Sequence, residues 1–301
     1  MPLSMGDNFP QDEDAQDWYG RLDEADIRAS QQEGEPSASW LPTDPLASIL
    51  DAQRWEKGST EQRAAMIMDF VMFSEKNIIP RKMMPLMINK FLIQHPDWMP
   101  LLRSNKPPRR ELEKEETRAD LRVAVFEAFW GHPQAPPKFG TRVNIRLARN
   151  LNMVMELDKN NKKRGTNILL HTINGERGAT NQRWILQADG HVALASDPQL
   201  AMDAWGAYGT PGERAPGDHA HIKLAFKEGG QPKNEKFVYR DGRLRWAHDE
   251  RLCVDVTECR VQDGTPLQLS MEIPNHDERR QSQLWVLTPV EVELRPHWLG
   301  A

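Results

Sequence analysis

The chain has 301 residues, of which 39% are hydrophobic, with 39 basic and 44 acidic side chains and a formal charge of −5. That length suggests about two domains, and a mean hydropathy of −0.69, with no run near the ~18 apolar residues of a membrane helix, excludes a transmembrane span. Two cysteines exclude a disulfide-built scaffold, and no Cys/His spacing forms a metal site.

Residues 1–45 hold eleven acids against Arg21 and Arg28, whereas the remainder holds 37 basic and 33 acidic side chains. The acidity therefore belongs to the tail, and no basic stripe for nucleic acid is visible. Residues 1–42 are too polar to offset chain entropy by burial and read as a disordered leader. Within it Trp18, Leu22 and Ile27 form either a docking motif that folds on a partner or scattered apolar residues in a solvated tail. The opening MPLSMGDNFP lacks the regions of a signal peptide. This points to the cytoplasm, or to export by a route that needs no such signal.

Residues 43–137 read as a small all-α domain. Asp44-Pro45 opens a helix through about Lys57, with proline in its first turn. Ser59-Thr60-Glu61-Gln62 is a capping box ahead of a helix whose apolar face includes Ala65, Met66, Met68, Phe70, Met72 and Phe73. Methionine at this density fits core packing. A third helix is expected around Met83 to Ile93, after Pro85, and a long fourth from Glu111 to Trp130. The fourth has acids in its first turns, Leu121, Val125, Ala128 and Phe129 on one face, and Gly131 as a stop. Neither His95 nor Asp97 suggests chemistry, and Arg103, Lys106, Arg109 and Arg110 read as a solvated face.

From Lys138 onward the pattern changes to short strands and turns that repeat three times. An aromatic ends Asn181-Gln182-Arg183-Trp184, Asn234-Glu235-Lys236-Phe237 and Ser282-Gln283-Leu284-Trp285, at spacings of 53 and 48 residues. Asp189-Gly190 and Asp241-Gly242 follow the first two, and Asp-Gly is a hairpin signal. Upstream, Met155-Glu156-Leu157, Met202-Asp203-Ala204 and Val254-Asp255-Val256 each set a carboxylate between apolar residues. Ile168-Leu169-Leu170, Ile222-Lys223-Leu224 and Leu267-Gln268-Leu269 lie between. One unit of ~50 residues cannot bury its own apolar face, so the three must share a core.

These motifs resemble the ricin B-type lectin family over about residues 140–290. Gln182-Arg183-Trp184 and Gln283-Leu284-Trp285 carry most of the likeness, supported by Leu252-Cys253-Val254-Asp255-Val256 and Asp263-Gly264-Thr265-Pro266-Leu267-Gln268-Leu269. The resemblance implies a β-trefoil over 138–301, with Trp184, Phe237 and Trp285 in its core and the glutamine supporting the turn. It also implies sugar pockets built from the early-motif carboxylate, an aromatic after the middle motif and an asparagine beside Gln-x-Trp. Carried over, repeat one supplies Glu156, His171 and Asn181. Repeat two supplies Asp203 and Asn234 but has Ala225 at the aromatic position, with Phe226, Trp205 or Tyr208 as substitutes. Repeat three supplies Asp255 and Gln268, with Ser270 and Ser282 at the other two positions and His276 as partial compensation. No repeat has the full set, and repeats one and two retain the better pockets.

In that family a disulfide often joins the early motif to the end of the middle motif. Here Cys253 matches the first position but Met271 stands near the second, so Cys253 and Cys259 are expected as free thiols, in keeping with a reducing compartment. Residues 1–140 hold no phosphate loop, nucleophile elbow or metalloprotease helix, so catalysis is not expected, nor a cofactor. The expectation is a non-catalytic binder of galactose-type glycans whose helical domain or tail contacts a protein partner. The alternative is a sugar-inert interaction scaffold.

Overall fold

The computed structural model describes residues 52–71, 99–131, 138–175, 177–205, 219–227 and 233–291, without the side chains of Glu61, Asp69 and Lys233. The acidic leader, the start of the first helix, Met72, Phe73, the helix expected around Met83 to Ile93, His95, Asp97 and Tyr208 lie outside these residues.

Among the described residues five helical segments precede the strands: α1 (Ala52–Lys57), α2 (Thr60–Val71), α3 (Met99–Leu102), α4 (Arg109–Glu113) and α5 (Glu115–Trp130). The capping box forms reciprocally: Gln62 N–H donates to Ser59 Oγ at 3.3 Å, and Ser59 N–H donates to Gln62 Oε1 at 2.7 Å. Ala65, Met66, Met68 and Phe70 are buried together with Trp55, Leu102, Leu112, Phe126 and Phe129. Carbonyls at helix ends lack intrahelical donors, and arginines satisfy several of them here. Arg63 donates to Trp55 O, Leu102 O and Ser104 O, and Arg118 donates to Leu112 O and Glu113 O.

The single long helix expected from Glu111 is two helices, broken at Lys114, whose backbone is extended (φ −70°, ψ 127°). Pro108 starts the first of them early, and Arg118 caps its end. Gly131 closes α5 in a right-handed conformation (φ −86°, ψ −1°) with its N–H on Glu127 O, not through the left-handed cap its residue type suggests. Arg103, Lys106, Arg109 and Arg110 are exposed.

Twelve strands follow: β1 (Arg142–Leu147), β2 (Asn150–Leu157), β3 (Ile168–Thr172), β4 (Trp184–Leu186), β5 (Val192–Leu194), β6 (Asp197–Trp205), β7 (His221–Phe226), β8 (Phe237–Arg240), β9 (Arg243–Trp246), β10 (Asp249–Val256), β11 (Thr265–Met271) and β12 (Trp285–Pro289). They form one antiparallel sheet that closes on itself, β12 pairing with β1 and β11 with β3 and β7. Four strands make one unit, and the unit repeats three times. Trp184 pairs with Leu194, Phe237 with Trp246 and Trp285 with Leu147, so each repeat's aromatic faces an equivalent residue of the next. All three aromatics are buried in one cluster. Trp184 Nε1 donates to Met155 O and Trp285 Nε1 to Val254 O, both at 3.0 Å; the phenyl ring of Phe237 has no such donor.

The helices and the barrel share a core. Ala148, Leu151, Leu284 and Val286 of the barrel belong to the same buried cluster as Trp55 and Phe126. Arg122 donates to Val71 O at the end of α2 and to Ala148 O and Arg149 O of the β1–β2 turn. Trp130 Nε1 donates to Leu287 O, and Gly242 N–H to Glu127 Oε1. Among the described residues no helix is long and apolar enough to cross a membrane.

Candidate functional site

In repeat one the β2–β3 hairpin sets Glu156 opposite Leu169 and Val154 opposite His171. Glu156 is buried, and its Oε2 accepts from Gln182 Nε2 at 2.6 Å. The same amide donates to Thr172 O, while Gln182 Oε1 accepts from Asn174 N–H at 2.9 Å and Ala179 N–H at 3.0 Å. The glutamine thus ties the turn to the carboxylate. His171 is half-exposed, its Nδ1 3.6 Å from Glu156 Oε2 and 3.7 Å from Asp263 Oδ1. Asn181 is buried and donates through Nδ2 to Leu157 O at 3.0 Å, which commits one of its two amide protons.

Asp263, which opens the Asp263–Leu269 motif of repeat three, was given no site role from the sequence. It reaches across from repeat three, where its Oδ1 accepts from Thr172 N–H at 2.6 Å and Thr172 Oγ1 at 2.7 Å. Those bonds, the hydroxyl's foremost, hold its carboxyl below the usual aspartate range. Only the fold brings the β10–β11 turn beside β3, and no local pattern signals it.

In repeat two Asp203 is buried and faces Lys223 across the β6–β7 hairpin, while Ala225 faces Ala201. The aromatic position is therefore small in the structure as in the sequence. Of the substitutes, Phe226 is 54% exposed and faces Leu200. Trp205 lies two residues beyond Asp203, hence on the same face of the strand. Asn234 is buried.

Glu235 stands where the other repeats have glutamine and, when ionised, has no proton to donate. Its Oε2 instead lies 3.1 Å from His191 Nε2, and His191 Nδ1 lies 2.9 Å from Asp189 Oδ2. Burial pushes the His191 imidazole pKa down, and the Asp189 carboxylate offsets part of that. This buried arrangement was missed because His191 read only as the residue after a hairpin turn.

In repeat three Asp255 faces Gln268 across the β10–β11 hairpin. Asp255 is buried, and its Oδ2 accepts from Gln283 Nε2 at 3.3 Å. Burial pushes its carboxyl up, against hydrogen bonds from Ser282 and Ser270. Gln268 Nε2 donates to Ser270 Oγ at 3.1 Å and faces His219 Nδ1 at 3.2 Å. His276 is exposed in the loop beside Asp277. Both cysteines are free thiols. Among the described residues no three potential ligands cluster to hold a metal ion.

No protein-family model matches the chain, and no curated protein matches it. Solved structures similar to it include the C-half of an earthworm R-type lectin in complex with GalNAc, at 13% identity and a TM-score of 0.39, covering 50% of this chain and 98% of that one. The Rhizoctonia solani agglutinin is 13% identical with a TM-score of 0.39, covering 52% and 99%. A designed threefold symmetric protein, ThreeFoil, is 17% identical with a TM-score of 0.38, covering 49% and 97%.

Proposed function

We propose that the barrel is a β-trefoil of the ricin B-type lectin kind and that the protein binds saccharides without chemistry, through the repeat-one pocket. One observation carries this. Glu156 is a buried carboxylate held by Gln182, and the half-exposed ring of His171 stands at 3.6 Å from it. A fixed acceptor for vicinal hydroxyls beside a partly exposed flat ring is what recognition of a sugar in water requires. A galactose-type sugar is the class the resemblance favours.

The second reading, a sugar-inert interaction scaffold, is favoured by the internal commitments of Asn181 to Leu157 O and of Gln268 to Ser270. Calorimetric titration of the full chain with galactose and N-acetylgalactosamine separates the two. Binding abolished by Glu156→Gln and weakened by His171→Ala supports the saccharide reading; no heat with either sugar supports the scaffold. The full chain is needed because an isolated barrel would expose the apolar residues covered by the helices.

A further inference from the structure

Repeat two departs from the other repeats at its junction with repeat one. Trp205, the last residue of β6, pairs with His221, the first of β7, and its indole is half-buried. One edge of the ring lies against Gly165, where an added Cβ would stand 3.0 Å from the indole. The Lys223 ammonium sits 4.7 Å from the ring centre. The indole Nε1 is buried with no hydrogen-bond partner, an arrangement native proteins seldom leave unexplained.

Gly165 is fixed in place: its N–H donates to Leu224 O at 2.8 Å, Leu224 N–H donates to Thr166 O at 2.8 Å, and Asn167 bridges to Lys223. The chain leading into it carries exposed Lys159, Lys162, Lys163 and Arg164, with Asp158 as the one acid between Leu157 and Gly165. The fold adds Lys223 to this group, which the sequence scatters over more than sixty positions. Lys223 thus sits on the half-buried indole itself, and the other four cations lie on the segment that leads into Gly165 at its edge.

We propose that this junction binds a saccharide carrying a sulfate or carboxylate. The sugar's apolar face stacks on Trp205 and displaces the Lys223 ammonium, which turns to the anionic substituent together with Lys162, Lys163 and Arg164. The Asp203 carboxylate, on the same face as Trp205 and across from Lys223, accepts from a ring hydroxyl. That buried carboxylate also disfavours a phosphodiester backbone, which puts nucleic acid second. The proposal deepens the saccharide reading and rests on it for the sugar; the anion selectivity stands on the charges.

The test titrates the full chain with galactose 6-sulfate, galactose, inorganic sulfate and a ten-residue oligothymidylate, following heat and the tryptophan indole N–H signals in a 15N spectrum. The Trp205 signal is identified by its loss in Trp205→Phe. Galactose 6-sulfate is expected to bind at least ten-fold more tightly than galactose in 20 mM salt and to move the Trp205 signal, with the preference largely lost in 300 mM salt, where exposed charges are screened. Lys163→Glu is expected to weaken it about three- to ten-fold at an unchanged melting temperature, since an exposed ion pair is worth up to about five-fold and charge reversal puts a repulsion in place of that attraction.

Galactose and its sulfate binding equally, with Trp205 unmoved, overturns this proposal and leaves repeat one standing. Neither sugar binding overturns both. Inorganic sulfate or oligothymidylate matching the sugar sulfate at Trp205 reassigns the junction to a bare anion or to nucleic acid and overturns the proposal.

Discussion

Gly242 offers a direct measure of how the helices are seated on the barrel. It lies in the β8–β9 turn at φ +70°, and a Cβ added there would stand 2.7 and 2.8 Å from the two methyls of Val123 on α5. Gly264 has a similar backbone, φ +81°, with nothing within 4 Å of its added Cβ. Alanine at Gly264 therefore incurs only the left-handed cost, about 1–2 kcal/mol. Alanine at Gly242 incurs that and an overpacking cost of about 1–3 kcal/mol. It also disturbs the Gly242 N–H to Glu127 bond of 3.1 Å. Urea unfolding followed by circular dichroism should show Gly242→Ala less stable than Gly264→Ala by about 1–3 kcal/mol. Val123→Ala removes the obstructing methyls, so in the double variant the two changes should couple by about 1–2 kcal/mol instead of adding. Equal losses for the two glycines, or simple additivity with Val123→Ala, would refute the packing of α5 on this turn.

Gln182→Leu removes the donor to Glu156 and Thr172 O and the acceptor of two backbone N–H groups, so a loss of about 3–5 kcal/mol is expected in urea unfolding; under 1 kcal/mol would show that the amide does not brace the turn. The Asp255 carboxyl is pushed up by burial, so its folded pKa exceeds the unfolded value and ionisation costs stability, fully above the folded pKa and not at all below the unfolded one. Asp255→Asn should therefore raise the melting temperature at pH 7, with the gain vanishing near about pH 3.5; a pH-independent gain contradicts this. The Cys253 thiol is buried and pushed up to about 11, whereas Cys259 is half-buried. A maleimide at pH 7 should label one thiol per folded chain and both in urea, and labelling of the folded Cys259→Ser variant would count against the buried site.

The period of the three aromatics was legible because each must sit in one core at the same strand position, and the registers of Trp184, Phe237 and Trp285 repeat accordingly. The capping box at Ser59 was legible because both its bonds are local. The break at Lys114 was not, because the residues on both sides favour helix and the interruption is held by Arg118, four positions on. The pocket residues of repeat one came together because their spacing follows one hairpin and one turn. Asp263 escaped notice because it acts on a neighbouring repeat, and only strand pairing across repeats brings it there. The His191–Glu235 contact has a readable trace, namely a glutamate where the other two repeats carry glutamine.

The same threefold register explains where the helices attach. Ala148 N–H donates to Leu284 O, Ala195 N–H to Arg183 O and Ala247 N–H to Lys236 O, so Leu284, Arg183 and Lys236 are equivalent positions on the outer wall. Two copies carry a long cation. The third carries leucine, followed two residues later by Val286, and both are buried under the helical layer. In repeat one the matching surface is an open cleft of about 120 Å³ lined by Arg142, Thr180, Arg183, Ala195 and Ser196. Arg183 is held there by Gly178 O at 2.8 Å. A helix packed over that guanidinium would bury a charge without a counter-ion, at a cost of several kcal/mol. Among the described residues the threefold barrel thus carries its helical layer on one face of three, the face where the residue before the core aromatic is leucine.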